Sequence, residues 1–182
     1  MKRFSNFLVK IANWKTSLAF FLVYISFNAY FLPKGFKSDV PIADRNLPII
    51  DLQMTYNPEN VKSIVSMYSG KAKEAYILNS AIVDTIYPMA YVCFFGILLS
   101  LVFYKWKIRP WFLWLNVLPV GILIFDYLEN IMIISMLKTY PANIDTLAMC
   151  CSFFTMVKWS LAGVVILLLL TGIATNLLKA RT

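Results

Sequence analysis

The sequence predicts an all-α integral membrane four-helix bundle, a single membrane domain over 1–182. A structured external loop separates its first two helices. Three observations carry that prediction. The chain is 60% hydrophobic and 14% charged, with a mean hydropathy of +0.69. Soluble domains run at about 45–50% apolar and about 25% charged. The apolar residues gather into four runs, each reaching the roughly 18 residues needed to cross a hydrocarbon core of about 30 Å. The basic residues are shared unevenly among the segments between those runs.

The four spans are expected at about 14–32, 80–104, 110–137 and 147–178. The first could be a signal peptide, given its basic flank. Phe31-Leu32-Pro33-Lys34 offers no small-x-small cleavage site, so an uncleaved helix is expected. Pro88 can bend the second span, and the Pro119/Gly121 pair the third, because proline removes a backbone donor and crowds the preceding turn.

The external loop covers 33–79, too long to be structureless. Leu47 to Met54 reads as a short extended segment on the membrane face, confined to an edge by Pro48. A short amphipathic helix is expected at 58–68. Asn57 suits its N-cap, Pro58 its first position and Glu59 the positive end of its dipole. Val61, Ile64, Val65 and Tyr68 then recur at helical spacing. It either caps the bundle or gates an outward-facing cavity. A further helical stretch begins near Lys71 and runs into the second span.

Charge sets the threading. Lys2, Arg3, Lys10, Lys15, Lys105, Lys107, Arg109, Lys179 and Arg181 flank the spans on one side, with no acid among them. Basic residues on the other side are diluted by Asp39, Asp44, Asp51, Glu59, Glu74 and Asp145. Both termini are therefore expected in the cytoplasm, in a multi-pass protein of the cell (inner) membrane. Trp14, Trp106, Trp111 and Trp114 fall at the same ends, as an interfacial belt would place them. The net charge of +8 reads as an orientation signal toward anionic lipid, with membrane lipids as partners and no nucleic acid.

The chain has no histidine, which excludes Ser-His-Asp and Cys-His nucleophile systems and histidine-ligated metals. Cys93, Cys150 and Cys151 have no metal-site spacing and no disulfide logic, and read as small buried hydrophobes. No metal, no cofactor and no committed catalytic residue is expected.

The informative residues are the charges embedded in the spans. Each costs about 2.5–3.5 kcal/mol at a helix centre, so each needs a partner or a purpose. They are Asp84 in the second span, Asp126 and Glu129 in the third, and Lys158 in the fourth. Asp84, Pro88 and Tyr91 share one helix face; Asp126, Glu129 and Asn130 share another; Thr155, Lys158 and Ala162 share a third. At 1.5 Å per residue these groups reach similar depth, toward the outer leaflet. The simplest packing points them inward. Three carboxylates then face one lysine, so a carboxyl must hold a proton, reach water or meet a cation. The ligand-binding set read from this pattern is Asp84, Tyr87, Tyr91, Asp126, Tyr127, Glu129, Asn130 and Lys158, the tyrosines acting as aromatic walls. The alternative is that Lys158 neutralises Asp126 or Glu129 and the cluster only fixes helix register.

The pattern Asp84-x-x-x-Pro88, Asp126-x-x-Glu129-Asn130 and Lys158 resembles small four-helix bacterial integral membrane proteins without an assigned activity. It is more loosely similar to the sterol-isomerase and sigma-2-receptor-like four-helix family, in which embedded acids bind lipophilic cationic ligands. That resemblance would make Asp126 and Glu129 the analogous acids. The leading expectation is binding or movement of a lipid or small amphipathic or cationic ligand, with a homodimer if transport is involved. An accessory or assembly subunit of a membrane complex is the second. A carboxylate-based isomerase or lipid-modifying enzyme using Asp126 and Glu129 is the third.

Overall fold

Asn13 divides the N-terminal region into two helices, α1 (Lys2–Ile11) and α2 (Trp14–Ser26). Its side chain accepts from Lys15 N and Thr16 N, both at 3.0 Å, while Thr16 Oγ1 accepts from Asn13 N. This reciprocal capping starts α2 afresh instead of continuing α1. The two helix axes meet at 103°. This computed structural model describes residues 2–31, 47–50, 57–105 and 110–179, and four more α-helices occur among the described residues. They are α3 (Pro58–Met67), α4 (Gly70–Lys105), α5 (Leu118–Thr139) and α6 (Asp145–Lys179). No strand occurs among the described residues, so the all-α reading holds.

Among the described residues, three helical stretches are long and apolar enough to cross a membrane: 34, 26 and 34 residues, built on α4, α5 and α6. The bent pair α1–α2 meets the same test only when taken together. Apolar side chains also cover the outside. Ile82, Ile86, Ile124, Phe153, Leu167 and Leu170 are all exposed. A soluble fold would bury such residues, so their outward placement supports a membrane reading.

The helix boundaries differ from the expected spans in instructive ways. The basic segment before Trp14 reads as a flank, yet it folds as α1, with Leu8 and Ser5 buried and Phe7 exposed. Leu8 seats against Gly96 of α4. A methyl there would stand 2.9 Å from Leu8 Cδ1 and 3.1 Å from the Asn116 carbonyl, so only glycine admits this approach. Pro119 does not bend the third span. It lies in the first turn of α5, where its missing N–H leaves no bond unmade, and a tighter 3₁₀ stretch over Pro110–Val117 precedes it. Pro88 does lie inside α4. The α2 helix ends in a widened turn over Phe27–Phe31.

The short loop helix forms as expected. Asn57 Oδ1 accepts from Asn60 N at 2.8 Å, and Pro58 opens the first turn. Val61, Ile64, Val65 and Tyr68 are buried against Tyr76 of α4, Ile133 and Met136 of α5, and Ile144 and Ala148. This close packing makes α3 a cap on one end of the helices. Gly70, at φ +49, then turns the chain into α4. The Lys62–Asp145 ion pair that also joins α3 to α6 is 42% and 37% exposed; such surface pairs contribute about 0–1 kcal/mol. The Leu47–Met54 reading is resolved only to Ile50; residues 51–54 lie outside the described set. Leu47–Ile49 has no regular structure. The segment is held by tyrosines, not by a sheet edge: Tyr76 Oη accepts from Ile50 N at 3.1 Å, and Tyr68 Oη donates to the Pro48 carbonyl at 2.8 Å.

A buried polar clamp fixes α1 at the other end. Ser5 Oγ donates to Asn116 Oδ1 at 2.7 Å. Asn116 Nδ2 donates back to the Ser5 carbonyl at 3.1 Å and to Ser100 Oγ at 2.8 Å. Replacing Asn116 with alanine leaves these partners buried and unmatched, at about 1–3 kcal/mol. Asn116→Ala is therefore expected to lower the melting temperature in detergent and to expose the 2–12 segment to protease. Unchanged protection of that segment would refute the clamp.

Candidate functional site

The embedded charges meet where α5 packs on α6. Lys158 Nζ donates to Asp126 Oδ1 at 2.9 Å and to Glu129 Oε2. The spacing explains why one lysine reaches both: Asp126 and Glu129 are three residues apart and share a helix face. Glu129 is fully buried, while the side chains of Lys158 and Asp126 are 11% and 14% exposed. Inside a low-dielectric core such charges persist only when paired and hydrogen-bonded. The triad meets that condition, with one carboxyl more than it has cations.

Thr155 and Cys151 of α6 complete the surroundings of Glu129. Thr155 Oγ1 lies 2.5 Å from Glu129 Oε1 and 2.9 Å from the Cys151 carbonyl. Cys151 Sγ lies 3.8 Å from the Glu129 carbonyl. Thr155 shares a face with Lys158 in the sequence, and that i, i+3 spacing was the available signal for its role. The cysteines divide. Cys151 is buried as expected and Cys93 is half-buried, whereas Cys150 is exposed, because adjacent helix positions cannot both face the core.

The remaining predicted residues fall around the triad with different tasks. Pro88 has no N–H for the Asp84 carbonyl one turn earlier. That carbonyl is met from α5, where Asn130 Nδ2 donates to it at 3.4 Å. Tyr127 Oη donates to the neighbouring Thr85 carbonyl at 2.7 Å. Asn130 and Tyr127 thus dock the proline-interrupted turn of α4 onto the stretch of α5 that carries Asp126 and Glu129. Asp84 enters this arrangement through its backbone.

Tyr87 and Tyr91 belong to an aromatic group between α2 and α4. Tyr87 lies flat against Tyr24 at 5.9 Å and edge-on to Tyr91 at 5.5 Å. Asn28 Nδ2 donates to Tyr87 Oη at 3.2 Å, a contact the sequence reading did not include. Its signal was a lone amide in an apolar span. Tyr91 is 8% exposed, and its hydroxyl has no hydrogen-bond partner. This phenol lies within electrostatic reach of Asp126 and Glu129. A buried unpaired hydroxyl is uncommon and costs stability, so its place beside a surplus carboxyl is informative.

Among the described residues no group of three or more Asp, Glu or Cys side chains is arranged to hold a metal ion. Chemically, the arrangement offers a fixed cation, two acids of unequal exposure, a bridging hydroxyl and a free phenol.

If Asn130 serves the Pro88 turn, its cost of removal depends on Pro88. Asn130→Leu should destabilise the protein by about 1–3 kcal/mol. In a Pro88→Ala background, which returns an N–H to the Asp84 carbonyl, that cost should shrink. Equal costs in both backgrounds, measured as a double-mutant cycle in detergent, would separate the two residues. Comparison of the chain with protein-family models, with curated proteins and with solved structures finds no match.

Proposed function

We propose that this is a multi-pass protein of the cell membrane, with both termini cytoplasmic, that binds a monovalent cationic amphiphile beside Asp126. The carrying observation is the buried Tyr91 phenol with no hydrogen-bond partner, in electrostatic reach of a partly exposed carboxylate, Asp126. A protonated amine answers both features. Its charge is attracted to the Asp126 carboxylate, and its N–H groups can donate to Tyr91 Oη and Asp126. Asp126, the more exposed of the two acids, is the contact group. Tyr87 and Tyr127 supply aromatic faces for the ligand's cation and apolar chain. The basic flank of α1 and the tryptophans at positions 14 and 114, both exposed, support the threading.

The probe is dodecylammonium, with the purified protein in lipid nanodiscs. Asp126→Asn should abolish its binding while leaving the Lys158–Glu129 pair and the yield of folded protein intact. Undiminished binding in Asp126→Asn would end this reading. Dodecyltrimethylammonium, which has no N–H, should bind more weakly than dodecylammonium in the wild type and equally in Tyr91→Phe.

A second reading, an accessory subunit whose triad only fixes helix packing, is favoured by the complete burial of Glu129. It predicts that Asp126→Asn loses folded protein and that neither amphiphile binds. The threading is tested separately. In a chain lacking Cys93, Cys150 and Cys151, a cysteine introduced as Ser66→Cys on α3 should react with an impermeant reagent from outside intact cells.

A further inference from the structure

We infer that α1 is an interfacial helix that lies in the plane of the membrane surface and binds anionic phospholipid headgroups along its basic side. The inference rests on the membrane reading above and is independent of the cationic ligand proposed at Asp126.

The residues of α1 sort by side. At about 100° per residue, Lys2, Arg3, Asn6 and Lys10 fall on one side of the helix. All four are exposed. Ser5 and Leu8 fall on the opposite side and are buried, Leu8 at Gly96 and Ser5 on Asn116. Phe7 stands on the edge between the two sides, one turn from Arg3 and one turn from Lys10. It is 53% exposed. Packing therefore fixes α1 by one side only, and leaves a basic side and an aromatic edge without protein over them.

The charge on that side has one sign. Lys2, Arg3, Lys10 and Lys15 are the first four charged side chains of the sequence, and no acid precedes Asp39. Among the described residues no ion pair reaches any of the four. An anionic bilayer surface complements such a segment, strengthening association by about fivefold for each lysine or arginine held near it.

The geometry selects a lipid surface over a soluble acidic partner. The axes of α1 and α2 meet at 103°. Helix α2 buries none of its residues and exposes Leu18, Phe21 and Leu22, as suits a helix surrounded by acyl chains. With α2 across the bilayer, α1 lies close to the surface plane, where amphipathic helices bind. Trp14 sits at the corner, 69% exposed, with Lys15 Nζ 5.8 Å from its ring centroid. Phe7 likewise has Arg3 and Lys10 as neighbours. Each pairs an aromatic ring with cations, the combination suited to the boundary between acyl chains and headgroups. An acidic soluble protein would answer the charge and leave Phe7 and Trp14 in water; a lipid surface answers both.

Two measurements on the full chain test this, in nanodiscs of phosphatidylcholine and phosphatidylglycerol. The first is placement. In a chain lacking Cys93, Cys150 and Cys151, a spin label on Phe7→Cys should be relaxed by oxygen, as in lipid. One on Asn6→Cys should be relaxed by a water-soluble nickel chelate. A Phe7→Cys label reached mainly by nickel overturns the inference.

The second is selectivity. Spin-labelled phosphatidylglycerol should associate with the protein in preference to spin-labelled phosphatidylcholine at low salt. Arg3→Gln and Lys10→Gln should each lower that preference, by up to about fivefold, and Arg3→Lys should retain it. Both side chains are exposed, so the fold does not depend on them. An unchanged preference in the Arg3→Gln, Lys10→Gln double variant overturns the headgroup site. No preference in the wild type assigns the basic side to an acidic protein and overturns it too. Failure of the chain to enter nanodiscs overturns the membrane reading and this inference with it.

Discussion

A lysine and a glutamate buried against each other between packed helices cannot be moved apart cheaply. Lys158 and Glu129 are in that position, and the contact between α5 and α6 is organised around them. Removing Lys158 takes the shared cation from two embedded acids, and breaking a buried pair in this way costs about 3–5 kcal/mol. Sliding α6 along α5 by a single turn, about 5.4 Å, would break the same contact. The pair therefore sets the register of two long apolar helices whose hydrophobic contacts alone would tolerate several alignments. Apolar packing further along the two helices, by Ile122, Val165 and Leu169, supplies affinity between them but little selection among alignments.

The docking of α4 follows from a second constraint. Pro88 leaves the Asp84 carbonyl without its helical donor, and a carbonyl buried in an apolar setting has to find another. Asn130 is one residue beyond Glu129, so the group that satisfies the carbonyl is placed by the same helix that carries the acids. This links the proline turn to the charge pair: moving α5 to satisfy one would disturb the other. Three helices thus meet at one level through polar contacts, while their outer faces stay apolar.

Much of this was legible in the sequence, for reasons that differ by residue. The triad could be read because ionisable side chains in apolar runs are few and helical spacing fixes their faces. The α3 helix could be read because Asn57, Pro58 and its buried stripe are local signals that do not depend on the rest of the fold. The α1 helix could not be separated from a basic flank. Its seat depends on Gly96 and Asn116, more than 80 residues away, and nothing near Leu8 announces them. Pro119 was ambiguous for a related reason: a proline bends a helix or begins one according to where the helix starts, and the 3₁₀ stretch before Leu118 decides that. Asn130 and Tyr127 read as ligand groups because their hydrogen bonds run to backbone carbonyls, which have no signature in a side-chain pattern.

The two acids of the triad are not equivalent, and their difference bears on why the site has two. Both bond Lys158, so a single carboxylate would already neutralise it. Asp126 keeps some exposure, whereas Glu129 keeps none and is bridged by Thr155. An exposed carboxylate can be screened by water and needs no second protein partner. A fully buried one must be bonded at both oxygens, and Glu129 is, to Lys158 through Oε2 and to Thr155 through Oε1. The surplus acidic group was thus placed at the position with the most complete hydrogen bonding, not at the one nearest solvent.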